Sequence, residues 1–359
     1  MQHSLVYSLP QGEYNFLVRT VNERVLFFVD MERIIALYMD DCHSRQLRPK
    51  TMQSYEQALR LFATWVEEKH EITHVEAVKD IHIRSYINDL QAREKYTFCA
   101  DRESERFNHP RNRRDYQTKI SNTTSNNYLR NMRAFFWWLV EVEYIARSPM
   151  SKIKLLPDER QAREYLEDNE VVKLLKSLDK SFYPEYRDYV LIMLMLDSGT
   201  RVGETLSAEN SQLDLYERSL HLPADKTKGR KARTVFFSSK TARELRYWLQ
   251  YKDRYCDSDY LFPVKQSGFT LQVSDFEKNF SKYCRRAGIK KRVSPHTLRN
   301  NFAKRCLLSG MDIYSLSRIL GHTSVEVTEQ AYLDVTEHDL KKQYGRFSPI
   351  EGIYTRQKR

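Results

Sequence analysis

Glycine is nearly missing from the first half of this chain, and no other feature constrains the fold as strongly. Of ten glycines in 359 residues, Gly12 is the only one before Gly199; the others are Gly203, Gly229, Gly268, Gly288, Gly310, Gly321, Gly345 and Gly352. Glycine supplies the positive-φ corners that tight hairpins and phosphate-binding loops use. The first half is therefore expected to be built from long helices and not to be a turn-rich β domain. With glycines at these positions, neither G-x-G-x-x-G nor G-x-x-x-x-G-K-S/T can be written anywhere, which excludes nucleotide sites of the standard Rossmann and P-loop types.

Charge sets the second bound. Lys plus Arg number 59 against 48 Asp plus Glu, a formal net charge of +11. An excess of this size points to a polyanionic partner, nucleic acid ahead of anionic membrane. A hydrophobic fraction of 41% is enough to fill cores in two or three domains of roughly 150 residues each. The longest apolar stretches, Tyr189–Leu196 and Phe135–Val140, fall far short of the roughly 20 residues a membrane span needs. The amino terminus lacks a basic-then-apolar signal pattern, so a cytoplasmic protein with no membrane contact is expected. Cys42, Cys99, Cys256, Cys284 and Cys306 are scattered without C-x-x-C spacing and read as reduced thiols, and no metal site is expected.

Along the chain, residues 1–28 form a leader without clear period. Helix signals then follow from Phe28, over Met52–Lys69 with Thr51 as N-cap after a turn at Arg48-Pro-Lys-Thr, over Ile81–Arg93, and from Thr123 or Thr124 through Leu139. The last of these, Tyr128 to Leu139, is too apolar for a surface helix and reads as the spine of a small bundle. A polar insertion, Glu94–Ser121, separates the third and fourth helices. It carries Arg102, Arg106, Arg111, Arg113, Arg114 and Lys119 with Tyr96, Phe98, Phe107 and Tyr116 interspersed. Such interleaving suits phosphate and base contact, though a solvated loop anchored by aromatics has the same composition. Pro149 and Pro157 bracket Met150–Leu156, which reads as a basic linker and domain boundary.

The second half is expected to open with helices at Asn169–Asp179 and Pro184–Leu196, followed by Ser198-Gly-Thr-Arg201-Val-Gly-Glu204 as a turn into another helix. Ser219–Leu222 and Thr234–Phe237 read as short strands. Five basic residues, Lys226, Lys228, Arg230, Lys231 and Arg233, crowd the hairpin turn between them. From Arg285 to Arg305 there are eight Lys or Arg and no acid, the most one-sided stretch of the chain. Ser294-Pro295 looks like N-cap and first helical residue, and Gly310 like the stop. His296 and Arg299 then lie on one face of a first helical turn, where both can address one anion.

The ordered set Arg201 with Glu204, Lys228 on a hairpin, His296-Thr-Leu-Arg299, Leu320-Gly-His322 and Tyr332 resembles the tyrosine recombinase (phage integrase) family, from about residue 28 onward. Arg48-Pro-Lys-Thr-Met-Gln-Ser-Tyr, the Asn126–Leu139 helix and Ile145-Ala-Arg-Ser-Pro149 resemble that family's helical core-binding domain. The resemblance implies a mainly α chain with a small antiparallel β-sheet in its catalytic domain. It implies a two-domain DNA clamp: leader 1–28, helical DNA-binding domain 29–149, linker 150–163, and catalytic domain 164–359 with a tail at 340–359. The family's catalytic set falls on Arg201, Lys228, His296, Arg299, His322 and Tyr332, with Glu204 holding the first guanidinium. Lys226, Arg230 and Lys231 compete with Lys228 for the lysine position. DNA contacts are expected from Arg111, Arg113 and Arg114, from Lys226, Arg230 and Lys231, and from Arg285, Arg286, Lys290, Lys291 and Arg292.

The chemistry fits these residue types. A phenol with pKa near 10 is a poor nucleophile unless cations stabilise the phenolate and the phosphorane it builds. Two guanidiniums would clamp the non-bridging oxygens, a lysine would protonate the leaving 5′ oxygen, and a phosphotyrosyl link would conserve bond energy for rejoining. No cofactor, metal or ATP is expected. The family implies double-stranded DNA as partner, four protomers on paired sites, accessory recombination proteins, and work such as transposition or integration of a mobile element in the bacterial cytoplasm. The tail reads equally as docking on a neighbour or folding on its own domain. A type IB topoisomerase, a telomere-resolving enzyme or a catalytically silent DNA-binding protein are the alternatives.

Overall fold

The helical half is organised around four segments whose apolar residues recur at helical spacing. The computed structural model describes residues 18–21 and 24–27 (backbone only), 30–100, 109–113, 115–157, 164–227, 229, 231–322, 324–326, 328–329, 341 and 344. It divides into two units, Met1–Arg160 and Gln161–Arg359. The first described elements are an antiparallel pair, β1 (Val18–Val21) and β2 (Arg24–Phe27), inside the segment that reads as a leader without clear period.

Helices α1 (Met31–Ser44), α2 (Pro49–His70), α3 (Asp80–Ala92) and α4 (Asn122–Glu141) follow. The Asp30 carboxylate caps α1 by accepting from Arg33 N at 2.7 Å, satisfying an otherwise orphaned donor. Residues 48–51 are not a turn, and Thr51 is not the cap of α2. Pro49 takes the first helical position, where its fixed φ is an asset and its missing N–H costs nothing, so the helix starts earlier. Likewise α4 is capped by Ser121, whose Oγ accepts from Thr124 N, and not by either threonine.

The four helices bury Ile34, Tyr38, Phe62, Val66, Tyr86, Leu129, Met132 and Phe136 in one core, with edge-on rings at Phe62–Phe136 and Phe62–Tyr86. Each such side chain contributes roughly 1.5–3 kcal/mol by leaving water. Met150 and Ile153 belong to the same core, and Asn126 Oδ1 accepts from Leu156 N at 2.8 Å. The residues expected to serve as linker thus pack on the first unit, and the division between units falls at Arg160 and Gln161.

In the second unit come α5 (Asp168–Lys176), α6 (Tyr183–Ser198), α7 (Val202–Leu206), then strands β3 (Leu213–Asp214), β4 (Ser219–Leu222) and β5 (Arg233–Phe236). Helices α8 (Ser239–Asp253), α9 (Val273–Arg286), α10 (Pro295–Leu308) and α11 (Ile313–Leu320) follow among the described residues. The sheet is antiparallel in the order β3-β4-β5, with Leu222 opposite Arg233 at the base of the basic hairpin. The run Val190–Met195 makes α6 apolar all round, which suits a helix packed between α8 and α10. In the first half of α6 a buried polar network ties Arg187 to Asp188, whose other oxygen accepts from Tyr283 Oη and Asn279 Nδ2.

Among the described residues, no helix is long and apolar enough to cross a membrane.

Candidate active site

Two glycines at helix ends set the site's frame. Gly199 ends α6 at φ +66°, and a Cβ there would lie 2.3 Å from Phe302 Cδ1 of α10, so only glycine lets the helices approach this closely. The chain then turns through Thr200, fixed by Thr205 Oγ1 donating to its hydroxyl at 2.7 Å, and delivers Arg201 as the cap of α7. Gly321 ends α11 at φ +64°, and a Cβ there would meet Arg233 Cδ at 2.9 Å and Nε at 3.0 Å. His322 follows directly.

Around this frame three guanidiniums and one carboxylate converge. Glu204 Oε2 accepts from Arg201 N at 3.0 Å and from Arg233 Nη2 at 2.6 Å; its Oε1 accepts from Arg201 Nη1 at 2.9 Å and Arg233 Nη1 at 3.2 Å. Three successive carbonyls at the end of α11 each accept from a different arginine. Ile319 takes Arg233 Nε at 3.0 Å, Leu320 takes Arg299 Nη2 at 2.7 Å, and Gly321 takes Arg201 Nη2 at 3.5 Å. Arg299 Nη1 also donates to Gly199 O at 2.7 Å. Both helix ends thus present their negative dipole poles to guanidiniums, the favourable polarity.

Carbonyls carry only partial charge, so the cluster keeps an excess of positive charge over the single Glu204 carboxylate. Burial, then the charges of Arg201 and Arg233, push the Arg299 guanidinium down to about 9, still cationic at neutral pH. Burial, then Arg299, Arg201, Arg233 and His296, push the His322 imidazole down to about 4, so it is neutral there. Burial alone would raise the Glu204 carboxyl. Hydrogen bonds and charge from Arg233, then Arg201, hold it below the ordinary carboxylate range instead. His322 Nδ1 lies 2.7 Å from Thr328 Oγ1, and His296 is exposed on the first turn of α10.

The expected residues thus divide. Arg201, Glu204, Arg299 and His322 come together, with His296 near enough for its charge to act on His322. Lys228, Tyr332, Arg230 and Arg114 lie outside the described residues. Arg233 is the participant that sequence reading passed over: it was one basic residue among five, and only its place at the start of β5, opposite Leu222, distinguished it.

Several cations expected to face DNA are engaged within the chain. Arg286 forms a two-pronged pair with Glu185, at 2.9 and 2.5 Å. Lys291 pairs with Glu170 at 2.8 Å and donates to Tyr165 O. Lys226 bonds Glu209 at 2.5 Å and Ser207 O at 3.0 Å. The stretch free of acids along the sequence thus meets acids brought to it from α5 and α6. Arg285, Lys290, Arg292, Lys231 and Arg111 are exposed. Arg113 is exposed too, with its guanidinium 4.7 Å from the Tyr96 ring centroid.

Residues 164–339 match the model of the phage integrase family, and residues 34–101 match that of the phage integrase N-terminal SAM-like domain. A tyrosine recombinase of Pseudothermotoga lettingae is 26% identical over 310 residues, covering 86% of this chain and 96% of the relative. Tyrosine recombinase XerD of Listeria monocytogenes is 30% identical over 228 residues, covering 62% and 75%. Among solved structures, the Tn1549 transposon integrase with a circular intermediate DNA aligns over 87% of this chain and 99% of its own, at TM-score 0.66 and 16% identity. The chain belongs to the phage integrase family and is a site-specific tyrosine recombinase.

Proposed function

We propose that this recombinase cuts and rejoins double-stranded DNA through a 3′-phosphotyrosyl bond at Tyr332, without metal or ATP. The observation that carries the reading is the surplus of guanidinium charge that helix-end carbonyls and the Glu204 carboxylate fix in place, a cradle of net positive charge suited to a phosphodiester. Arg201 and Arg299 bind the non-bridging oxygens of the scissile phosphodiester and stabilise the phosphorane. His322 Nδ1 lies 2.7 Å from Thr328 Oγ1; in the tautomer that accepts from this hydroxyl, the Nε2 proton is left for a phosphoryl oxygen, and His296 completes the donors. The Tyr332 phenol loses its proton to solvent, its oxygen attacks phosphorus as the bond to the 5′ oxygen breaks, and Lys228 gives that leaving oxygen a proton. Attack by the 5′ hydroxyl of a second strand reverses the step and releases the tyrosine.

Four protomers on two paired sites, with accessory proteins, carry out the exchange in the cytoplasm, and the exposed cations Arg285, Lys290, Arg292 and Arg111 contact phosphates. The work proposed is movement of a mobile element, with the basic insertion at 94–121 as the device that distinguishes its target. Chromosome-dimer resolution is the second reading, favoured by the XerD relative. Short inverted repeats flanking the gene support the first reading; one genomic site elsewhere supports the second. A nicked suicide duplex bearing the identified site should trap a covalent adduct through Tyr332. An adduct with Tyr332→Phe, or none with the wild type, refutes the mechanism. Deleting residues 101–108 of the insertion should weaken or re-target DNA binding, and unchanged affinity and site choice would remove those residues from the interface.

A further inference from the structure

Outside the family's expected set, one buried cation reaches into the site from the base of the hairpin. Arg233 is nearly fully buried, its guanidinium spans both oxygens of Glu204, and its Nε holds the Ile319 carbonyl one residue from the carbonyl that Arg299 holds. Its stem lies against Gly321, where any Cβ would displace it. It also starts β5, on the strand that leaves the basic turn.

We propose that Arg233 is a positioning residue for the cleavage step: through Glu204 it fixes the pose of Arg201, and through the end of α11 it fixes the approach to His322. Arg233 itself stays covered by Glu204 and does not touch the phosphate. The logic is that of a shared carboxylate. Glu204 has two oxygens and receives four hydrogen bonds, two from Arg201 and two from Arg233. Without Arg233 the carboxylate has room to rotate, and the guanidinium of Arg201 moves with it. The same contact roots the hairpin in the phosphate site, so that the strand carrying the turn and the arginine clamp move together.

This assignment rests on the functional reading above, so its test has one arm that needs cleavage and one that does not. In single-turnover adduct formation on the nicked duplex, Arg233→Ala should lower the rate about tenfold to a hundredfold, the scale of a misplaced catalytic group. It should also add a fall in rate on the acid side, because burial raises a Glu204 carboxyl that has lost its main partner. Arg233→Lys, which keeps one charged contact, should recover part of the rate. The double variant Arg233→Ala with Glu204→Gln should be no slower than the slower single variant, since both act through one group. A merely structural loss would reduce the active fraction and leave the pH profile of the remaining enzyme unmoved. A wild-type rate and profile in Arg233→Ala, or losses that multiply in the double variant, overturn the proposal.

In the second arm, NMR of carbon-labelled glutamate and nitrogen-labelled arginine follows Glu204 and Arg201 without substrate. Arg233→Ala should raise the Glu204 titration, and the Arg201 guanidinium signal should follow it. A Glu204 titration that stays where it is overturns the proposal. A wild type that forms no adduct strikes the functional reading alone.

Discussion

Replacing Gly321 by alanine separates two costs that a glycine at a helix end combines. The first is backbone: at φ +64° a residue with a Cβ is strained by about 1–2 kcal/mol. The second is contact: the new methyl lies 2.9 Å from Arg233 Cδ and 3.0 Å from its Nε and Nη1, closer than such atoms approach. Arg233 must give way, and it can do so only by lengthening its bonds to Ile319 O and Glu204, charge-assisted contacts of about 1.5–3 kcal/mol each. Partial loss of one sets the second cost near 1–2 kcal/mol.

Gly288 supplies the control, because it sits at φ +71° with nothing within 4 Å of a Cβ. Gly288→Ala should therefore pay the backbone cost alone. Unfolding in urea, followed at the second unit by fluorine-labelled Trp248, should place Gly321→Ala about 1–2 kcal/mol below Gly288→Ala at equal slopes. Adduct formation should slow in Gly321→Ala and hold in Gly288→Ala. Equal destabilisation by the two substitutions would refute the packing of Arg233 on Gly321 as the reason for glycine there.

Three further outcomes are expected. Asp188→Ala leaves the Arg187 guanidinium buried without its carboxylate and should cost about 3–5 kcal/mol; a loss under about 1 kcal/mol in the same titration would refute this. Because the His322 imidazole is held near 4 in the folded chain, the unfolded state binds the extra proton first as pH falls below about 6.5. Stability should therefore decline between those values, and His322→Gln should flatten the decline; parallel pH curves for the two proteins would contradict it. Arg285→Ala should shallow the salt dependence of DNA affinity by about one counterion, whereas Lys291→Ala should chiefly lower the unfolding midpoint through loss of Glu170; the reverse pattern would reassign both residues.

Much of this was legible along the chain because the signals were local. Glycine scarcity announced helices in the first half, and the core of α1 to α4 follows the apolar spacing. Ser294, Pro295 and Gly310 bracket α10 as their chemistry requires, and Arg201 with Glu204 pair across one helical turn. Boundaries failed where two local signals competed: Thr51 lost to Pro49, and Thr123 and Thr124 lost to Ser121. Met150–Leu156 reads as a linker because prolines flank it, yet Met150 and Ile153 join the apolar core of residues far back in sequence.

Alone, the sequence determined the family to which the chain belongs, the helical character of the first unit, and the glycines that end α6 and α11. Tertiary structure decided which cations remain available. Charge counted along a chain takes no account of acids that arrive from elsewhere. Glu185 reaches Arg286 from 101 residues away, and Glu170 reaches Lys291 from 121, so the most basic stretch is partly neutralised. It also decided that Arg233, 29 residues from Glu204 and 86 from Ile319, belongs to the site. The physical reason is one of range: capping and helical periodicity act over three or four residues, whereas an ion pair needs only proximity in space.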